Sequence, residues 1–466
     1  MLVKALLSTC LLSLSFLAVA QTQTERNLGV LDDLDRSRDI LQTTEDDLGR
    51  YHMGLVEPLE QLADQLMSLN QFDEADDMLD RAVQITRIND GLHTPVQLSL
   101  IKKRIDNFSN RQAWDDAREW MEYLFSYYLR IPVLLNENLL DDFLILTEQH
   151  LRGVTEAPEE EQGFHFYRAL QLNWAMITTA RKLYGENTPE LVPYLYRQVR
   201  HFYANRKIHD NVGVQRSMLR RSLRDFSRRD RMVGQMKRVE IERVYYIQGL
   251  ALFDEIGRSF ALTDPPNQVA QAMTELYLAD WMNLFDYADD AAQTYENAYQ
   301  SLIDSGVSED QLNILFSEPR LLPLEEFHSS VEMAFSQLSA GANELQVSDG
   351  ESSATQITLR EWSPDIPTAR PPLSAFQRSD EDLTYAQFLF DLAAENETTW
   401  LYSHQYSQSI GAASEEGLLR GFREIDSGND EALERLDQLR FRPKLVDGVL
   451  TPSQVLLRYE MAIKDE

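Results

Sequence analysis

The stretch Leu59–Pro95, LEQLADQLMSLNQFDEADDMLDRAVQITRINDGLHTP, constrains the fold more than any other because it recurs. Leu59, Leu62, Ala63 and Leu66 fall at helical spacing before a tight turn at Asn70, and Ala75, Leu79, Ala82 and Ile85 do so after it. Each predicted helix has one apolar face, and a lone hairpin cannot bury both. More hairpins must supply the missing surface. A shift of 42 residues lays Trp114 on Phe72, Ala117 on Ala75, Met121 on Leu79 and Phe108 on Leu66. A shift of 94 lays Phe166 on Phe72, Ala169 on Ala75, and Gly185-x-x-Thr188-Pro189 on Gly91-x-x-Thr94-Pro95. Two shifts of 42 make 84, so the third copy holds ten extra residues, and the polar run Gly153–Gln162 is expected to carry them as an enlarged turn. The Gly-x-x-Thr-Pro pieces mark hairpin boundaries, since glycine ends a helix in the left-handed conformation and the following proline cannot continue it.

The rest of the chain is read against that register. Residues 21–49 carry Leu28, Leu31, Leu34 and Leu41 and predict a leading helix. A fourth hairpin is expected from Glu190–Tyr203 and Glu240–Ile256, a fifth over Gln268–Leu302, and Leu312–Leu338 as the closing element. Between the two helices of the fourth lies a basic insertion near 205–239: Arg197–Arg243 holds 14 Lys and Arg against five Asp and Glu, with Arg220, Arg221, Arg224, Arg228, Arg229 and Arg231 at its centre. It reads either as a solvated helix paired with the surrounding acidic protein or as a docking surface for an anionic lipid, glycan or acidic segment. Residues 339–380 turn to Gly, Ser, acidic residues and prolines, the composition of a linker. Beyond it, Ala386, Phe388, Phe390 and Leu392, then Thr398, Trp400 and Tyr402, alternate as a hairpin, Ala432–Leu439 is helical in period, and Val455–Ile463 is a closing strand.

The spacings Ala63…Ala75-x3-Leu79-x2-Ala82 and Ala279…Ala291-x3-Tyr295-x2-Ala298 resemble the tetratricopeptide repeat family in its longer form of about 42 residues, as in kinesin light chains. The second copy departs from it at Ile105 and Leu124. The resemblance implies an α-solenoid whose first helices line a concave groove, and transferring those positions gives Glu60, Asp64 and Met67, then Lys102, Asp106 and Ser109, then Asp280 and Asn283 as partner-binding residues. Such a groove holds a peptide or helix by many modest contacts, its acidic residues favouring a basic partner.

The segment Ala432–Met461 looks like the end of a TonB carboxy-terminal domain, with Phe441-Arg442-Pro443 and Asp447-Gly448 at its aromatic-Arg-Pro and Asp-Gly turns. The fold expected is therefore mainly α, a tetratricopeptide-like α-solenoid over 21–338 followed by a small α+β domain over 381–466 in the order strand, strand, helix, strand. The resemblance implies an exposed sheet edge able to pair with a partner's strand. A TonB energy transducer needs an inner-membrane helix and a long proline-rich span. This chain offers a short linker and an export signal instead, so the fold is expected without the transducing role.

That signal is residues 1–20: Lys4, the apolar run Ala5–Phe16, and Ala18-Val19-Ala20 before Gln21 predict cleavage after Ala20 and a periplasmic or secreted chain. The alternatives are an uncleaved anchor, for which the apolar run is short, and lipidation at Cys10, which Thr9 and the apolar residues after it disfavour. Cys10 is the only cysteine, so the mature chain is expected to have neither disulfides nor thiol chemistry. The formal net charge of -32 argues against nucleic acid. No metal, phosphate-loop or nucleophile-elbow motif occurs, and no cofactor is expected. His93 reads as a turn residue, and Asp76-Asp77, Asp141-Asp142 and Asp289-Asp290 as solvated surface or favourable helix-dipole contacts. Trp114, Trp120, Tyr123, Phe125, Tyr127 and Tyr128 read as core before ligand platform. The expected function is a non-enzymatic adaptor or scaffold for protein or peptide partners in the cell envelope. Its alternatives are an accessory subunit of an envelope enzyme or TonB-type transport complex and, third, a hydrolase.

Overall fold

The computed structural model describes residues 33–130, 136–211, 238–335, 343–346, 353–360, 383–392, 423–424, 440–451 and 453–462, and the helices of the first two hairpins fall where the apolar spacing puts them. The expected export signal and the arginines Arg220–Arg231 of the basic insertion lie outside the described residues. The fold is mainly helical, of α-solenoid-like character, with a small sheet near the C-terminus. The chain divides into two compact units, Met1–Leu134 and Leu135–Glu466.

The first unit opens with α1 (residues 33–48), whose Leu34 and Leu41 are buried as the leucine spacing requires. Two hairpins follow, α2 (Val56–Ser68) with α3 (Phe72–Asp90) and α4 (Gln97–Asn110) with α5 (Trp114–Arg130). Within this unit α2 packs on α3, α3 on α4 and α4 on α5. The small residues Ala63, Ala75 and Ala82 are wholly buried, which lets the helix axes approach. Asp73 and Glu74 occupy the first turn of α3, where the helix dipole favours negative charge. Its other end stops at Gly91, with φ +92° and its N–H bonded to Arg87 O.

The second unit continues with α6 (Glu137–Glu156), α7 (Glu159–Tyr184), α8 (Val192–Asn211), α9 (Arg238–Ala261), α10 (Gln268–Leu284), α11 (Ala288–Asp304) and a short α12 (Glu309–Leu315). Consecutive helices pack on one another here too.

Three turns share one backbone signature. Asn70, Gln112 and Asp286 have φ of 58°, 63° and 66°, each two residues before the next helix begins. In each, the following N–H reaches back five residues: Gln71 N to Leu66 O, Ala113 N to Phe108 O, and Tyr287 N to Met282 O. The same local solution thus recurs in the first, second and fifth hairpins.

The third hairpin corrects the expected turn. Only Ala157 and Pro158 separate α6 from α7, so the ten extra residues lengthen the helices. Phe166, which aligns with the first residue of α3, lies seven residues inside α7 because 166 minus 159 is seven. The physical reason is that a glutamate run suits the start of a helix as well as a loop. Gly153 then lets the longer pair close, since a Cβ there would stand 2.6 Å from the His165 ring.

Two further corrections concern the C-terminal half. The closing element expected at Leu312–Leu338 is helical only at Glu309–Leu315 and 331–335 among the described residues. Between them Arg320–Leu322 forms β1, which pairs antiparallel with β6 (Arg440–Arg442). The span 339–380 expected as a linker contains β2 (Asn343–Gln346) and β3 (Ser353–Arg360). With β4 (Leu383–Leu392), β5 (Arg423–Glu424) and β9 (Ser453–Ala462) they make a mixed sheet in the order β2-β3-β9-β4-β5, in which only β3 and β9 run parallel. The alternation read at 386–392 and 455–462 thus lies in two neighbouring antiparallel strands. The expected second strand at 398–402 and helix at 432–439 lie outside the described residues.

The remaining strands, β7 (Lys444–Val446) and β8 (Val449–Thr451), form a hairpin. Its two-residue turn, Asp447-Gly448, has φ of 52° and 78°, the two positive angles that match the twist of the flanking strands.

Candidate functional site

The groove positions transferred to the fifth hairpin are filled by the chain itself. Asp280 and Asn283 lie on α10 and are buried. Asp280 takes a two-bonded ion pair from Arg442, Nε to Oδ1 at 3.0 Å and a terminal nitrogen to Oδ2 at 2.5 Å. Asn283 donates from Nδ2 to the Phe441 carbonyl at 2.9 Å. One residue past α10, the turn that begins at Phe285 presents the Asp286 carboxylate, which accepts from Arg440 at 2.8 and 3.1 Å. Every residue of β6 is therefore held by a side chain of the fifth hairpin. The expectation that Asp280 and Asn283 stand open to a partner is corrected accordingly: they bind residues 440–442.

The same side carries a second self-contact. Tyr196 of α8 and Tyr277 of α10 meet edge to face, with centroids 5.2 Å apart. Tyr196 donates to Leu324 O at 3.0 Å and Tyr277 to Glu326 O at 2.9 Å, while Arg200 donates to Glu325 O. Tyr277 also accepts from the His328 backbone N–H at 3.1 Å. Phe327 packs against Tyr196, Phe260 and Tyr277. Burial pushes the Tyr196, Tyr277 and Tyr295 hydroxyls up, so all three remain neutral donors. The Tyr277 face lies 5.1 Å from the Arg442 guanidinium carbon. Four side chains on α8 and α10 thus grip four main-chain carbonyls, three of them in the loop after β1 and one in β6.

The hairpin β7–β8 seats itself on α11. Leu445 is buried and its N–H reaches Phe316 O at 3.3 Å, and a Cβ on Gly448 would come within 2.9 Å of the Tyr299 ring. Residues 440–451, read in the sequence as part of a separate C-terminal domain, are built onto the fifth helical hairpin.

In the first unit, Glu60 and Met67 are half-buried and Asp64 is exposed on α2, and Lys102 and Asp106 are half-buried on α4. Ser109 is wholly buried, so it lines no accessible groove, although the 42-residue shift equates it with Met67. Glu60 and Asp64 meet on Lys103, at 3.0 and 2.5 Å. Burial lowers the Lys103 pKa, but the hydrogen bonds and charges of Asp64 and Glu60 outweigh it and leave it raised.

Sequence reasoning missed Arg104. It is buried, bonds both oxygens of Asp76 at 2.7 and 3.0 Å and Asp80 at 2.7 Å, and stands 4.2 Å above the Trp120 ring. Asp76 is thus an ion-pair partner and not mere solvated surface. The aromatic group divides in two. Trp114, Phe125, Tyr127 and Tyr128 are core, whereas Trp120 and Tyr123 are half-buried and flank the Arg87 guanidinium. His93 sits in a turn whose carbonyls accept from Tyr127 and, at Leu92, from Gln97.

Two buried histidines, His150 on α6 and His165 on α7, face each other with Nδ1 atoms 3.0 Å apart. Burial, then the neighbouring His165 and Arg168, hold His150 well below the usual imidazole range. Among the described residues no three His, Cys, Asp or Glu side chains gather as a metal site, and no helix is long and apolar enough to cross a membrane.

No protein-family model and no curated protein matches the chain. Among solved structures, the crystal structure of BtubC (BKLC) from P. vanneervenii is similar over 51% of this chain and 87% of that chain, at 15% identity and a TM-score of 0.27. That score carries no argument about fold or function.

Proposed function

We propose that the protein is a non-enzymatic adaptor or scaffold that holds extended protein segments along the first helices of its hairpins. One observation carries the reading: Tyr196, Tyr277 and Asn283 spend their polar atoms on main-chain carbonyls of Leu324, Glu326 and Phe441. A surface that bonds main-chain carbonyls of its own chain has the chemistry to bond those of another. The acidic residues Glu60 and Asp64 on α2 favour a basic partner. The tetratricopeptide assignment of the hairpins is supported by their shared left-handed turns at Asn70, Gln112 and Asp286. The TonB-like reading of the terminal segment is supported more narrowly, by the Asp447-Gly448 turn and the long strand after it. Residues 1–20 are proposed to direct export, giving a periplasmic or secreted protein that begins at Gln21. The basic insertion is proposed as a contact for an anionic surface.

Affinity capture from envelope extract with the intact protein tests this function. Specific, salt-sensitive retention of basic protein partners is expected. Retention of a single transporter or enzyme complex would favour the accessory-subunit reading, and hydrolytic activity without any specific partner would overturn both.

A further inference from the structure

We infer that Tyr277, Asp280, Asn283, Asp286 and Tyr295 form a recognition site for an extended Arg-aromatic-Arg segment, and that Arg440-Phe441-Arg442 is its intramolecular occupant. This inference rests on the groove reading above and names the ligand chemistry of one place in it. In a strand, residues two apart share a face. Arg440 and Arg442 therefore point the same way, and each meets its own carboxylate, Asp286 and Asp280. Asp280 is pre-oriented for this task by Tyr295, whose hydroxyl donates to Oδ1 at 2.8 Å. The paired N–H groups of a guanidinium match a carboxylate geometry that a lysine cannot reproduce. Asn283 bonds the carbonyl of the middle residue, so that position is read through its backbone, and Phe441 faces Leu321 across the ladder.

Strand pairing adds little to this hold on residues 440–442. The β1–β6 ladder is three residues long on each side, too short to be stable as an isolated ribbon. Its place is therefore set by the site together with the β7–β8 hairpin that follows it. A foreign segment of the same chemistry enters by displacing β6, against the effective concentration of about millimolar that a tethered occupant enjoys. Occupancy of the site is thus an exchange between own and foreign arginines.

The probe is a fluorescent peptide of residues 438–446, Gln-Leu-Arg-Phe-Arg-Pro-Lys-Leu-Val, titrated into the intact chain. Arg442→Lys keeps a cation beside Asp280 and loosens the occupant. Arg440→Ala leaves the buried pair whole and serves as its companion should the first variant lose helical circular dichroism. Each variant is expected to bind the peptide at least tenfold more tightly than the wild type. Adding Asp280→Asn is expected to remove at least tenfold, and a peptide with glutamate at both arginine positions is expected not to bind. Equal binding to wild type and loosened variants, indifference to Asp280→Asn, or equal binding of the glutamate peptide would overturn the inference. None of those results would bear on partner capture by the intact protein from envelope extract, so the two readings fail separately.

Discussion

Asp280 and Arg442, 162 positions apart, are joined by two hydrogen bonds of 3.0 and 2.5 Å and are both nearly sealed from water. Burial alone would lower the arginine's pKa, but the Asp280 carboxylate overrides it and holds Arg442 raised. Arg442 thereby stays charged inside the protein. A buried pair of this kind contributes little net stability against an apolar alternative, yet losing one partner strands the other. Its consequence is specificity, since only one seating of residues 440–442 satisfies both charges.

The first unit offers a contrast between two neighbouring cations. Lys103 spans Glu60 and Asp64 with a quarter or more of each side chain exposed, at 28%, 27% and 51%. Arg104 is 7% exposed and bonds Asp76 and Asp80. Lys103→Ala should therefore change stability by no more than about 1 kcal/mol. Arg104→Ala should cost about 2–3 kcal/mol, somewhat below a fully buried pair because Asp80 keeps its water. Urea unfolding of both variants measures the difference.

Stability should fall with acid through the buried histidines. Burial, then the Arg197 charge, pulls His201 down to about 3, and His150 is likewise depressed. The unfolded chain binds these protons near pH 6.5 whereas the folded chain does not. Their contribution is therefore complete above about pH 6.5 and is lost as pH falls from there toward the folded value, by up to about 1.4 kcal/mol per histidine for each pH unit. His201→Leu should flatten the pH dependence of the urea midpoint between about pH 6.5 and 4 relative to wild type.

Gly249 should reverse the usual order of helix propensity. In an open helix, Gly→Ala stabilises by about 0.5–1 kcal/mol. On α9, however, a Cβ at Gly249 would enter the Trp281 indole, whose Nε1 is fixed to Tyr246 O at 3.1 Å. Gly249→Ala is expected to destabilise by about 1–3 kcal/mol through overpacking. Thermal unfolding compared with an alanine at the open Gly257 helical site, where the nearest side-chain atom stands 3.8 Å away, isolates that effect.

The helices were legible because an apolar period needs only local information. Leu59, Leu62, Ala63 and Leu66 are buried as their spacing predicts. The turn at Asn70 was legible too, because asparagine tolerates the left-handed region, whereas glutamine at Gln112 gives no such signal. Gly153–Gln162 misled because polar, glutamate-rich composition fits a helix start as well as a loop. For the site, position and occupancy separate. The repeat register singled out Asp280 and Asn283, and both are buried on α10. It could not say what covers them, because that partner is set by contacts across 162 and 158 positions. Ser109 failed for a related reason: a shift maps register, whereas burial depends on neighbours.

The central claim, that the fifth hairpin's groove is occupied by residues 440–442, is tested most directly by a double-mutant cycle on Asp280→Asn and Arg442→Gln, read by urea unfolding. The occupied groove predicts a coupling energy of about 1.5–3 kcal/mol, with the double variant less destabilised than the sum of the singles. Additivity within about 0.5 kcal/mol would mean that the two residues do not meet, and would contradict it.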